Sequence, residues 1–167
     1  MFASIDTLDF DRFYRETRPS VIRALAATLG SNELAVESTD EALARACQRW
    51  DRVGHLDNPA GWVYRVGLNH ARNGIRRTMR RLTNPVVVDE VISPSADTEV
   101  SDPAIADALR TLSLDHRAVV VCRFVIGWSE QQTADALAIR PGTVKSRLSR
   151  ALIKLERRLD HLRPEES

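Results

Sequence analysis

Residues 129–159 constrain the chain most, because two helical patterns meet there across a few residues that cannot themselves be helical. Ser129 is a helix-capping residue, whose hydroxyl accepts from a free backbone N–H, and Glu130 adds negative charge in the first turn, where the helix dipole favours it. A second helix begins near Pro141 and Gly142 and runs to about Leu159. Its apolar residues, Val144, Leu148, Leu152, Leu155 and Leu159, recur at steps of three and four and form one stripe. Lys145, Arg147, Arg150, Lys154, Arg157 and Arg158 stand outside it. A stripe backed by a basic face, entered by a tight turn from another helix, is the helix-turn-helix pattern. Periodicity alone also admits an ordinary amphipathic helix with a solvated basic face. The turn and the one-sided charge favour DNA.

The net charge of +1 over 167 residues looks too neutral for a nucleic-acid binder, but it conceals a layout. Residues 1–82 carry 13 basic and 10 acidic side chains, residues 83–101 only Asp89, Glu90, Asp97 and Glu99, and residues 102–167 carry 11 basic and 9 acidic. Local patches, not the total, set phosphate attraction. With 28% charged and 43% hydrophobic residues the composition is that of a globular protein. Cys47 and Cys122 have no close partner in sequence and sit in apolar helical patterns, which reads as two buried free thiols and no zinc site. No apolar run reaches the roughly 18 residues that span a bilayer and no signal peptide is seen, so a cytoplasmic protein is expected.

In chain order, residues 9–29 have helical spacing with Pro19 as a kink or a join, and Gly30 as a C-cap. A helix restarts at Ser31 and continues towards Trp50. Pro59 suits the first position of the next helix, which runs to about Arg81 and holds Arg65, Arg72, Arg76, Arg77, Arg80 and Arg81. No acid lies between Gly61 and Leu82. Beside Trp62 and Tyr64 such a run offers phosphate neutralisation and a stacking surface for bases, although both aromatics also fit a core. His70 reads as a helix-surface residue. Residues 83–101, with Pro85 and Pro94, break the pattern and read as a linker, within which residues 86–88 are too isolated to form a stable strand. Asp102 and Pro103 open another helix. The valine-rich run at 118–126 leans towards strand by propensity, but with no sheet to join it is read as a buried helix ended by Gly127. The fold class is therefore all-α: two small helical domains, 1–82 and 102–167, joined by a flexible acidic linker at 83–101.

Two blocks now make the chain recognisable. Asn-Pro-Ala-Gly-Trp-Val-Tyr-Arg-Val-Gly-Leu-Asn over residues 58–69, with the arginine run after it, resembles the promoter-melting segment of extracytoplasmic-function sigma factors, small members of the sigma-70 family of bacterial RNA polymerase. His-Arg-Ala-Val-Val-Val at 116–121 and Gly-Thr-Val-Lys-Ser-Arg-Leu-Ser-Arg at 142–150 resemble that family's second domain. The resemblance covers nearly the whole chain, in order and spacing.

The resemblance implies a sigma2-like domain that docks on the polymerase clamp and captures unpaired −10 bases, and a sigma4-like domain that reads the −35 element. On the first, Trp62, Arg65, Asn69, Arg72, Asn73, Arg76 and Arg77 are the expected −10 residues, the asparagines suiting base edges and the arginines phosphates. On the second, Lys145, Ser146, Ser149 and Arg150 match DNA-facing positions, Arg147 a backbone contact, and Thr143 a phosphate site at the helix start. Glu37, Asp40, Glu41 and Arg45 are the expected docking residues for core polymerase, although the family's usual leucine and glutamine there are Ser38 and Asp40. Asn73 replaces a common aspartate, and Ala138 replaces the turn glycine. The implied partners are core RNA polymerase through its β′ clamp and β subunits, promoter DNA and an anti-sigma factor, with no cofactor, no metal and no membrane insertion. The alternative is a stand-alone helix-turn-helix regulator, which leaves the basic run and acidic linker unexplained. No nucleophile–base set, paired carboxylates or phosphate loop supports an enzyme.

Overall fold

The structure is a computed structural model that describes residues 3–81 and 102–160, with side chains from residue 9 onward. The acidic linker and its valine run lie outside the described residues. All regular structure among the described residues is helical.

Helix α1 spans Ala3–Leu29, α2 Asn32–Gln48, α3 the single turn Trp50–Val53, and α4 Pro59–Arg81. Pro19 lies inside α1, which continues through it as one helix, so it is not a join between two helices. The carbonyl of Arg15, which Pro19 deprives of its N–H partner, lies on the exposed side of the helix, where water can satisfy it. Gly30 ends α1 with φ of 70°, and Ser31 caps α2 by accepting from Leu34 N–H. Helix α2 stops at Gln48 rather than reaching Trp50. Trp50 instead packs on Phe10 and Phe13, with ring centroids 5.2 and 4.8 Å away, and so closes the start of α1 over the end of α2.

Helix α5 spans Pro103–Arg110, capped by Asp102, and α6 spans Leu114–Val120, capped by Ser113. The valine-rich run is helical as expected, but its last stretch, Val121–Ile126, widens into a π-helical turn before Gly127 ends it at φ 83°. Helix α7 spans Glu130–Leu137 and α8 Pro141–Asp160. Ser129 and Gln132 form a full capping box, in which each side chain accepts from the other's backbone N–H.

The main core joins α1, α2 and α4 with Leu114, Ala118, Val121 and Cys122 of α6 and the π turn. Inside it Tyr64 is fully buried and its hydroxyl shares a 2.7 Å hydrogen bond with Thr28 Oγ1. Burial pushes the Tyr64 phenol well above its usual range, and burial likewise pushes the Cys122 thiol up to about 12. Tyr64 is thus a core residue and is closed to base stacking. Cys122 is buried as expected, whereas Cys47 is exposed because it falls on the outer side of α2.

Arg117, whose residue is 7% exposed, ties the two parts together. Its guanidinium donates to the carbonyls of Leu109 at 2.9 Å, Leu112 at 3.0 Å and Thr28 at 2.8 Å. The Leu109 and Thr28 carbonyls belong to the C-terminal ends of α5 and α1, where the helix dipole concentrates negative charge, and Leu112 lies in the link just after α5, so one cation serves both ends. The sequence marked Arg117 only as part of a motif; nothing local identifies a buried arginine.

Candidate nucleic-acid interface

Helix α4 is pressed into the core along Gly61, Val63, Tyr64, Gly67, Leu68 and Ala71. Gly67 makes this possible: a Cβ there would stand 2.8 Å from Leu25 Cδ1 and 3.1 Å from the Ser38 carbonyl. With that face fixed, Asn69, Asn73, Arg76 and Arg77 project to solvent, and so do Arg80 and Arg81. Trp62 and Arg65 are half-buried and line a cleft of about 670 Å³ with Arg49, Arg52, Val53 and Leu56. Arg49, Arg52 and Leu56 were not anticipated. They come from the short α3 and its flanks, and a one-turn helix leaves no periodicity to read.

Arg72 is turned away from the exposed group. It is half-buried and forms an ion pair with Asp115 of α6. Arg65 Nη1 reaches the Asp135 carbonyl of α7 at 3.5 Å. The seven expected −10 residues therefore lie along one helix but divide into an open group, a cleft pair and one residue facing the C-terminal helices.

Helices α7 and α8 form the expected helix-turn-helix. Ala138 in the turn has φ 53° and ψ 45°, the left-handed conformation that a glycine would adopt without strain. The turn is closed by Ile139 N–H donating to the Ala134 carbonyl at 3.0 Å. Helix α8 buries Val144 and Ala151 fully and Leu148 and Leu155 in part. Leu152 and Leu159, expected in the stripe, are 40% and 38% exposed. Ala151 takes the inward position because the helix rotates slightly relative to a strict four-residue step, and a small residue there lets α8 approach α5 and α6.

On the outer side Lys145, Ser146, Ser149 and Arg150 are exposed and adjacent, and Thr143 is half-buried at the helix start. Arg147 lies between the two sides, with Nη2 3.6 Å from Asp115 Oδ2. The residues expected to dock polymerase share the outer face of α2 and are already paired within the chain. Asp40 accepts two bonds from Arg18 at 2.7 and 3.0 Å, Glu41 accepts from Arg45 at 2.8 Å, and Glu37 lies 3.5 Å from His70 Nε2. Half-exposed pairs of this kind contribute about 0–1 kcal/mol, so a partner can exchange them readily. Among the described residues no helix is long and apolar enough to cross a membrane.

Comparison with known proteins agrees with this geometry. Residues 103–155 match the family "Sigma-70, region 4". The chain is 38% identical over 143 residues to the ECF RNA polymerase sigma factor SigL of Mycobacterium tuberculosis, covering 80% of this chain and 78% of the relative. It is 31% identical over 160 residues to SigM of the same organism, covering 94% and 80%. The RNA polymerase sigma-E factor of Streptomyces avermitilis is 27% identical over 93% of this chain and 87% of its own length. In fold the chain is similar to the sigma factor RpoE crystallised with the anti-sigma factor NepR from Bartonella quintana, with a TM-score of 0.73, 24% identity and coverage of 91% and 97%. CnrH in complex with the cytosolic domain of CnrY has a TM-score of 0.62, 22% identity and coverage of 91% and 88%. A helix-turn-helix whose outer face is polar and basic, preceded by a second basic helix, is thus set in a chain similar along most of its length to these proteins, and the chain belongs to the extracytoplasmic-function (ECF) RNA polymerase sigma factors.

Proposed function

We propose that this sigma factor grips promoters at two points, with α4 on the opened −10 element and α8 on the −35 duplex. The observation that carries this reading is the pair of exposed faces: Asn69, Asn73, Arg76 and Arg77 on one helix, and Lys145, Ser146, Ser149 and Arg150 on the other. Asparagines among arginines combine base-edge recognition with phosphate neutralisation, as capture of single strands requires. The cleft beside Trp62 offers an aromatic wall and three arginines to an unstacked base, offsetting the few kcal/mol that unstacking costs. On α8, Lys145 and Arg150 suit guanine edges in the major groove, and Arg147 and Thr143 suit phosphates. The domains run over 1–82 and 102–167. The acidic linker at 83–101 follows the polymerase's basic RNA path, and the outer face of α2, with Glu37, Asp40, Glu41 and Arg45, docks on the clamp. The similarity to RpoE, which is bound by an anti-sigma factor, supports control by a partner of that kind.

Run-off transcription with purified core polymerase on genomic fragments tests the reading. Promoter-specific initiation is expected only when the chain is added. If no template supports it, and the chain alone binds duplex operators, the protein is a stand-alone regulator. Arg150→Ala should weaken −35 recognition by about 1–3 kcal/mol while leaving core binding intact. Equal loss of core binding would remove Arg150 from the DNA face.

A further inference from the structure

The cleft beside Trp62 holds one residue that phosphate binding does not explain. Among the described residues that line it Asp51 is the one carboxylate, flanked in sequence by Arg49 and Arg52. Negative charge there weakens any grip on a DNA backbone, so it points to hydrogen-bond donors in the ligand. The local fold fixes its direction. Trp50 and Val53, three residues apart on the single turn of α3, point into the protein: Val53 is 3% exposed and Trp50 packs on Phe10 and Phe13. Gly54 seats the turn on Trp50, since a Cβ there would stand 2.9 Å from Cε2 of the indole. Asp51 and Arg52 are thereby left on the outer side, where both are exposed and line the cleft. Glu37, Asp40 and Glu41 of α2 are each paired with a cation of the chain. The Asp51 side chain makes no hydrogen bond or ion pair among the described residues.

We propose that the cleft selects guanine, with Asp51 accepting from N1–H and N2–H of a base stacked on Trp62 and Arg65 donating to O6 and N7. The inference rests on the reading above that this cleft receives an unstacked −10 base. A carboxylate only accepts, through two oxygens side by side, and a guanidinium only donates, through a planar fork. Guanine matches both, with two adjacent donors on its Watson–Crick edge and two adjacent acceptors on its major-groove edge. Adenine and cytosine bring one amino group beside a ring acceptor, and thymine one ring N–H between two carbonyls. Each therefore leaves an oxygen of Asp51 unpaired. Asp51 stands on α3 and Arg65 on α4, so the two groups reach the base from different walls of the cleft, whose volume of about 670 Å³ admits a purine. Trp62 supplies the stacking face, and Arg49 and Arg52 remain for the neighbouring phosphates.

The test uses the holoenzyme of core polymerase and the full chain on a promoter found by run-off transcription and opened across −10. Each non-template position is changed to all four bases, and binding is measured by fluorescence anisotropy. One position should demand guanine, every other base there weakening binding about fivefold to a hundredfold. At that position inosine, which lacks the N2 amino group, and 7-deazaguanine, which lacks N7, should each weaken binding about threefold to tenfold. Asp51→Asn should abolish the inosine effect and make adenine the preferred base, because an amide donates one bond and accepts another. Arg65→Gln should abolish the 7-deazaguanine effect and keep the inosine effect, a separation that a merely structural role would not give. Circular dichroism checks that each variant is folded. The absence of any position that demands guanine overturns the proposal. So does an inosine effect that persists in folded Asp51→Asn, or a 7-deazaguanine effect that persists in folded Arg65→Gln. Failure of the wild-type holoenzyme to initiate at any promoter would instead break the two-point reading itself, and this inference with it.

Discussion

Helices α4 and α8 are both long, basic and striped, yet they are held very differently. Of its 23 residues α4 buries six completely, and Gly61 and Gly67 bring its backbone against other helices without intervening side chains. Of its 20 residues α8 buries two, with Leu148 and Leu155 half covered, and its last turns stand clear. The hydrophobic stabilisation of a helix follows the apolar area that it removes from water. Helix α4 is therefore a platform fixed on two sides, while α8 rests on one narrow stripe and on the turn before it. The difference suits the proposed tasks. Holding a strand open needs a rigid surface, whereas entering a major groove needs a helix that projects.

Four substitutions sharpen or break that comparison. The largest effect belongs to Arg117, the cation between the ends of α1 and α5. Arg117→Met should lower stability by about 3 kcal/mol or more, since several buried carbonyls lose charge-assisted partners at once. Urea unfolding followed by circular dichroism measures it, and a loss below about 1 kcal/mol would mean that the two ends are held by apolar packing instead. Next is a pair of glycines on one helix. Gly67→Val should cost about 2–3 kcal/mol, because the added atoms meet Leu25 and the Ser38 backbone. Gly74, with nothing within 4 Å of an added Cβ, should instead accept alanine with a gain of about 0.5–1 kcal/mol. Thermal melts of both variants test whether α4 is pinned along its first half only; equal effects would refute that. The smallest effect concerns the turn that orients α8. Ala138→Gly should stabilise the chain by about 0.5–1 kcal/mol by relieving the left-handed strain at φ 53°. A melting temperature that falls would show that chain entropy outweighs the strain there.

Much of the fold was legible because its signals are local. Ser31, Ser129 and Pro59 start helices by satisfying or sparing N–H groups of their own first turn, and Gly30 and Gly127 end them by adopting positive φ. The helical reading of the valine-rich run was also reached without tertiary information, by asking whether any sheet existed for it to join. Where helix faces point is decided by rotation relative to a neighbour. A one-residue rotation moved Leu152 outward and Ala151 inward and left Cys47 exposed, and burial decided Tyr64 for the core, where both a core and a stacking role had stood open.

The sequence by itself determined the helix order, the helix-turn-helix and two clusters of basic residues, all of which arise from periodicity, capping and charge within one element. Tertiary structure alone decided that Arg117 bridges two helix ends, that Arg49, Arg52 and Leu56 join Trp62 around one cleft, and that Arg72 and Arg147 meet at Asp115. Arg72 and Asp115 are 43 residues apart in the chain, and no local propensity carries information over that separation. Their meeting follows from where the shared core seats α4 against α6, α7 and α8.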